Sequence, residues 1–170
     1  MLVMSRRAWL DNGMLKVRQF CRSWLPVLVW MALIFAGSTD ALSSRRTSRI
    51  LVPLLRWLAP GMSLATMNRV QYLVRKGGHV VEYAGLAILI WRGRRLSGQR
   101  TEGCWRWPDT GLALALATGF AISDEIHQSF SPSRYGAAED VWIDGGGAVM
   151  GLALVWLWQR WRKPIRPVLA

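Results

Sequence analysis

The chain has 170 residues, of which 52% are hydrophobic, and a formal net charge of +12. This length suits one domain, and the apolar content is high for a basic soluble protein, so a membrane protein fits better. The Lys and Arg residues flank apolar runs instead of forming a stripe with stacking aromatics, which argues against nucleic acid as a partner. Two cysteines without a CxxC pair argue against a disulfide framework or a zinc knuckle.

Four runs are almost free of charge: residues 23–39, 77–91, 110–123 and 145–159. Each is shorter than the roughly 20 residues that a lipid-exposed helix needs to cross a bilayer. They reach that length if the polar residues at one end of each run continue the helix inside the bundle, where intramembrane polar groups usually lie. The sequence therefore predicts an all-α membrane protein, a bundle of four transmembrane helices.

The distribution of basic residues predicts the orientation. Of the 22 Lys and Arg, 14 lie in residues 1–22, 92–109 and 160–170, and 8 lie in the two alternate connections. The positive-inside rule then places both termini in the cytoplasm. The domain prediction is a basic cytoplasmic N-terminus (1–22), a membrane domain (23–161) and a basic cytoplasmic tail (162–170). A cleaved signal peptide is the alternative interpretation of the first apolar run.

The connection between the first two runs is itself basic. Ile50, Leu54 and Leu58 recur there at helical spacing, with arginines between them. This pattern predicts a short amphipathic helix at the membrane interface, interrupted near Pro53. Tryptophans at the ends of the apolar runs, Trp91 and Trp105 among them, are expected to form aromatic belts at the two membrane surfaces.

Half of the ten carboxylates lie between Ser123 and Asp144. In the predicted topology the polar ends of the last three spans meet at one level near the outer face, and Arg134 lies on the loop above them. Such buried carboxylates must be protonated, paired or bound to a cation. The glycines that begin the last run are expected to place that helix at the centre of the bundle. The predicted ligand-binding residues are Lys76, His79, Glu82, Tyr83, Asp124, Glu125, His127, Gln128, Arg134, Asp140 and Asp144.

Three stretches carry a resemblance to a known family: "KGGHVVEYAGL", "SDEIHQSFSPSR" and "EDVWIDGGGAVMG". Their order resembles the VanZ-like family of bacterial membrane proteins, over about residues 25–158. Ser133 departs from the family pattern where a turn glycine is expected, and Asp144 departs where an asparagine is expected. The resemblance implies a protein of the bacterial cytoplasmic membrane and a link to low-level teicoplanin resistance. The residues that match the pattern are Lys76, His79, Tyr83, Asp124, Glu125, Gln128, Arg134 and Asp140.

Three functions are consistent with these residues. The first is recognition of an anionic lipid-linked or cell-wall precursor head group, with membrane lipids as further partners. The second is a transferase or hydrolase that uses Glu125 or His79 as a general base, with Arg134 stabilising negative charge. The third is a small transporter, or a scaffold whose polar residues only hold the helices together. A Zn or Mn site could use His79, Glu82, Glu125 and His127, but no HExxH-type spacing supports it, so no metal and no other cofactor is predicted.

Overall fold

Five helices form the part of the chain that the structure describes. The computed structural model describes residues 6–38, 44–98, 105–130 and 138–162. The helices are α1 (Arg6–Gly37), α2 (Ser44–Leu58), α3 (Leu64–Ser97), α4 (Trp107–Ser129) and α5 (Ala138–Arg162). No strand occurs in these described segments, so the prediction of an all-α fold is confirmed.

Local sequence signals explain where the helices begin. The Ser63 side chain accepts a hydrogen bond from the Thr66 backbone N–H at 3.2 Å, which satisfies one of the free donors at the start of α3. Pro108 lies in the first turn of α4, where its missing N–H costs no helical hydrogen bond. The prediction of an interruption near Pro53 was wrong, because α2 continues through it.

Helix α3 occupies the centre of the bundle and packs against each of the other four helices, whereas α5 packs against α3 and α4. The expectation of a central α5 was therefore wrong. The predicted close approach of a neighbouring helix at the glycines of α5 is nevertheless observed at two positions one turn apart. A Cβ on Gly147 would lie 2.5 Å from the Val80 carbonyl oxygen, and one on Gly151 would lie 2.6 Å from that of Ala84. Only glycine permits this backbone approach between α5 and α3.

Helix α1 is an integral part of the bundle. The Trp30 indole N–H donates to the Glu82 carbonyl oxygen at 2.8 Å, and the indole ring lies against Gly85. Nearer the N-terminus, the Gln19 amide donates to the Leu96 carbonyl oxygen at 3.0 Å, at the last turn of α3. Residues 13–22 thus belong to the same helix, α1, as the first apolar run.

Two helices are long and apolar enough to cross a membrane, judged by length and composition: Gly13–Gly37 within α1 and Glu139–Arg162 within α5. The predicted spans of residues 77–91 and 110–123 lie inside α3 and α4 but do not meet that criterion. The difference has a physical cause, because polar residues lie within or beside these runs: Lys76, His79 and Glu82 on α3, and Asp124 and Glu125 on α4. In a hydropathy average such residues count against a span even when they face the protein interior.

Helix α4 buries small residues and exposes large apolar ones. In α4, Ala113, Ala117 and Ala121 are completely buried, whereas Leu116 and Ile126 are exposed. The exposed faces of α1 and α5 carry large apolar residues in the same way. This distribution is the reverse of a water-soluble core, where large apolar side chains are buried, and it is typical of helices that pack in lipid.

Candidate functional site

Two polar pairs join α3 to α5 at the end of the bundle where α5 begins. The Lys76 ammonium pairs with the Asp140 carboxylate, and both side chains are largely buried. One turn further, His79 Nδ1 lies 3.0 Å from Asp144 Oδ1, and Asp144 is 2% exposed. His79 follows Lys76 by one turn of α3, and Asp144 follows Asp140 by about one turn of α5. The two helices therefore bring both pairs to the same side of α3. The close contact at Gly147 lies directly beyond them.

A second network joins α1 to α4 and centres on Asp124. The Ser38 hydroxyl donates to Asp124 Oδ2 at 2.6 Å, and the Gln128 amide donates to the same oxygen at 3.0 Å. The amide also donates to the Ser38 oxygen at 3.2 Å. All three side chains are buried, so Asp124 is held in one orientation by neutral donors.

The two networks are neighbours. The Asp124 and Asp144 carboxylates lie within electrostatic range of each other, and Tyr83 lies within range of both. Tyr83 is 0% exposed, and among the described residues neither its hydroxyl nor the buried Asp124 Oδ1 has a hydrogen-bond partner. Unsatisfied buried polar atoms are costly and rare in folded proteins, so a donor and an acceptor in one place are characteristic of a site that binds a polar group.

The charge of this region is negative. Among the described residues, the buried groups are four carboxylates, Asp124, Glu125, Asp140 and Asp144, together with Lys76 and His79. Lys76 is engaged with Asp140, and the Nδ1 atom of His79 is engaged with Asp144. The carboxylates therefore outnumber the cations available to them, which favours a ligand that donates hydrogen bonds.

The other predicted site residues are His127, Glu82, Arg134 and Glu125. The His127 ring stacks on Phe35 of α1, with 4.1 Å between ring centroids, so it faces α1. Glu82 is only partly buried, and its backbone carbonyl binds Trp30. Arg134 lies outside the described residues, as does Ser133. Glu125 is buried on α4 beside Asp124.

Within the described segments, no group of three or more His, Cys, Asp or Glu side chains could hold a metal ion. The candidate set of His79, Glu82, Glu125 and His127 does not assemble, because His127 stacks on α1 while His79 contacts α5.

Sequence reasoning missed two polar features. Ser38 follows the first apolar run among small residues and carries no local sign that it will meet a carboxylate 86 residues away. Asp109 was overlooked because an acidic residue in the first turn of a helix is ordinarily solvated. It is instead 2% exposed, and its Oδ1 lies 3.5 Å from Arg94 Nη2 at the other end of the bundle.

The fold and the site define an all-helical protein with small residues and buried ionisable groups inside and an apolar exterior. The sequence profile of the VanZ/LLP1 family matches residues 23–159, which is most of the chain. The chain therefore belongs to the VanZ/LLP1 family. No curated protein and no solved structure matches it significantly.

Proposed function

We propose that this chain is a multi-pass protein of the bacterial cytoplasmic membrane whose polar pocket recognises the head group of an envelope lipid or cell-wall precursor. The pocket consists of the α3–α5 pairs and the Asp124 network. The observation that carries the proposal is the buried pair of unsatisfied groups, the Tyr83 hydroxyl and Asp124 Oδ1. A hydroxyl or amide group of a ligand would satisfy both.

Each residue has a specific role in this proposal. Asp124 accepts a hydrogen bond from the ligand, while Ser38 and Gln128 fix its orientation. Lys76 and His79 are held by carboxylates of α5, which orient them toward the pocket. His79 Nδ1 contacts Asp144, so Nε2 is the ring atom that meets the ligand in this proposal. Arg134 is proposed to bind the anionic part as a planar fork.

The membrane arrangement belongs to the same proposal. Four helices, α1, α3, α4 and α5, cross the bilayer with both termini in the cytoplasm, so that the pocket faces outward. The exposed Leu and Ile side chains of α4 support this arrangement, since in a soluble protein they would form a large apolar patch in water. Binding at the outer face would change how the envelope presents its precursors to glycopeptides such as teicoplanin.

The test is mass spectrometry of lipids that copurify with the full-length protein. Asp124→Asn replaces one carboxylate oxygen by an NH2 group and removes the negative charge, so the ligand loses its charge-assisted hydrogen bond. The amount of copurifying lipid should therefore fall at least about tenfold. Glu139→Gln is the matched control, because Glu139 is an exposed carboxylate beside Asp140. Arg134→Lys should reduce the lipid as well, since it keeps the charge but loses the fork. An equal lipid content in all four proteins would contradict the proposal.

A second candidate function rests on the contact between His79 and Asp144. A histidine whose Nδ1 is held by a buried carboxylate has the arrangement of an oriented general base. The chain would then be a transferase or hydrolase acting on a lipid-linked substrate, with Glu125 as the other candidate base.

The enzyme function predicts a different response to substitution. Glu125→Gln and His79→Gln should abolish turnover while the copurifying lipid remains bound, because each removes a base but keeps a polar side chain. Cells that depend on the protein supply the readout, with its abundance in the membrane as the control. Full function of both variants at normal abundance would exclude acid/base catalysis.

A further inference from the structure

The end of the bundle opposite the polar pocket contains a second group of buried polar atoms. It is formed by the last turns of α3, the first turn of α4 and the facing part of α1. The indole N–H groups of Trp91 and Trp105, the Nε–H of Arg94 and the Ser23 hydroxyl are all buried, and none has a hydrogen-bond partner within the part of the chain that the structure describes. Three of these four groups can only donate.

These residues are held together by direct contacts. The Trp91 and Trp105 rings stack with 5.4 Å between centroids, and Arg94 follows Trp91 by one turn of α3. Arg94 binds Asp109 of α4 through Nη2, which leaves Nε as its unsatisfied donor. Ser23 contacts α3 at Gly93, where a Cβ would lie 2.8 Å from the Ser23 carbonyl oxygen.

The tryptophans differ from ordinary interfacial anchors. An anchoring tryptophan exposes its ring to the head-group region, as Trp107 does at 71% exposure. Trp91 is only 7% exposed, and Arg95 covers its ring with 4.8 Å from Cζ to the centroid. The expectation that Trp91 belongs to an aromatic belt is therefore inconsistent with its burial.

The local charge favours an anion. The described residues from Trp91 to Asp109 carry four arginines, Arg92, Arg94, Arg95 and Arg106, and one carboxylate, Asp109. The N-terminus of α4 lies at the same place, and Arg106 provides no side-chain cap for it. A helix N-terminus adds a partial positive charge and free N–H donors, which also favour an anion.

We propose that Trp91, Trp105, Arg94 and Ser23 form a second binding site, which takes a phosphate group. A phosphate has several acceptor oxygens and can therefore satisfy more of these donors than a single carbonyl group can. The phosphate belongs either to a phospholipid head group or to free phosphate. The site is separate from the polar pocket at the other end of the bundle and does not depend on the function proposed for it.

The experiment is native mass spectrometry of the full-length protein in detergent, titrated with phosphatidylglycerol. Diacylglycerol with the same acyl chains is the phosphate-free comparison, and inorganic phosphate is added in a separate arm. We expect tight binding of phosphatidylglycerol and none of diacylglycerol. If inorganic phosphate displaces the lipid at equal concentration, free phosphate is the natural occupant; if it does not, the phospholipid is.

Single substitutions locate the site. Trp91→Phe and Trp105→Phe remove one N–H each but keep an aromatic ring, so each should weaken phosphatidylglycerol binding about tenfold. Trp107→Phe is the matched control, because Trp107 contacts the Trp105 ring edge-on but is exposed. The affinity of this variant for phosphatidylglycerol should equal that of the wild type.

Arg94→Lys keeps the charge beside Asp109 and removes the Nε donor, so it tests the site even if a tryptophan variant does not fold. Unchanged affinity in every variant that folds, or equal binding of diacylglycerol, would overturn the proposal.

Discussion

The buried hydrogen bonds of single residues determine how the polar pocket is held together. Among the described residues, Asp124 receives two donors on one oxygen and none on the other; both donors are neutral side chains, Ser38 directly after α1 and Gln128 on α4. This arrangement fixes the carboxylate while leaving one oxygen free. Because buried carboxylates are costly, the loss of either donor should be measurable.

Ser38→Ala removes one of the two donors to Asp124 Oδ2 and an acceptor of the Gln128 amide. The unfolding free energy should fall by about 1–3 kcal/mol, the usual penalty when a buried polar group loses its partner. Thermal unfolding of the protein in detergent measures the change.

Ser123→Ala is the control for this experiment. The Ser123 hydroxyl is exposed and donates only to the Phe120 carbonyl oxygen one turn earlier in its own helix. A loss in Ser123→Ala as large as in Ser38→Ala would show that the Asp124 network does not stabilise the fold.

The residues of the pocket were predictable only in part. The sequence placed Lys76, His79, Asp124, Gln128 and Asp140 at one level, because the polar ends of three apolar runs must avoid lipid. It did not reveal which carboxylate each cation meets, since pairing depends on helix rotation within the bundle. The position of the His127 ring on Phe35 was unpredictable for the same reason.

At the scale of the helices, α5 approaches the backbone of α3 closely. This approach depends on two glycines one turn apart, and the neighbouring glycines do not contribute. No atom of another residue lies within 4 Å of a Cβ placed on Gly146, and for Gly145 the nearest is the Thr118 hydroxyl oxygen at 4.0 Å. The sequence indicated a glycine-mediated contact, but only the helix geometry distinguishes the two glycines that face α3 from those that do not.

Gly147→Ala and Gly151→Ala should each destabilise the bundle by about 1–3 kcal/mol or more, because the new methyl group meets backbone atoms that cannot rotate away. Gly147→Ala should also disturb the pocket, since Asp144 and His79 lie one turn away. The measurements are the melting temperature in detergent and the amount of copurifying lipid.

The control for these variants is Gly146→Ala, which places the same methyl group in open space. It should be as stable as the wild type, or slightly more stable, because alanine is the better helix former. Equal melting temperatures for Gly146→Ala and Gly147→Ala would show that the close contact does not hold α5 against α3.

At the scale of the whole molecule, the central question is how many helices cross the membrane. Hydropathy alone favours two, α1 and α5. The distribution of side chains favours four, because α4 exposes large apolar residues while burying alanines and carboxylates. Helix α3 has 34 residues, or about 51 Å at 1.5 Å per residue, which is longer than the roughly 30 Å hydrocarbon layer of a bilayer.

Two exposed serines distinguish these topologies in a background without the natural cysteines. Ser97 ends α3, and Ser129 ends α4 at the side of the polar pocket. With four crossing helices and a cytoplasmic N-terminus, residue 97 is inside and residue 129 is outside, so a membrane-impermeant maleimide should label Ser129→Cys but not Ser97→Cys in intact cells.

If only α1 and α5 cross, everything between them lies on one side, and both variants should be labelled. Labelling of Ser97→Cys alone would reverse the orientation and place the polar pocket in the cytoplasm, which would contradict the proposed recognition of an envelope head group. Each cysteine must react in permeabilised cells, because burial against a neighbouring molecule would otherwise imitate a cytoplasmic location. Selective labelling at residue 129 would therefore establish that α3 and α4 cross the bilayer despite their polar residues.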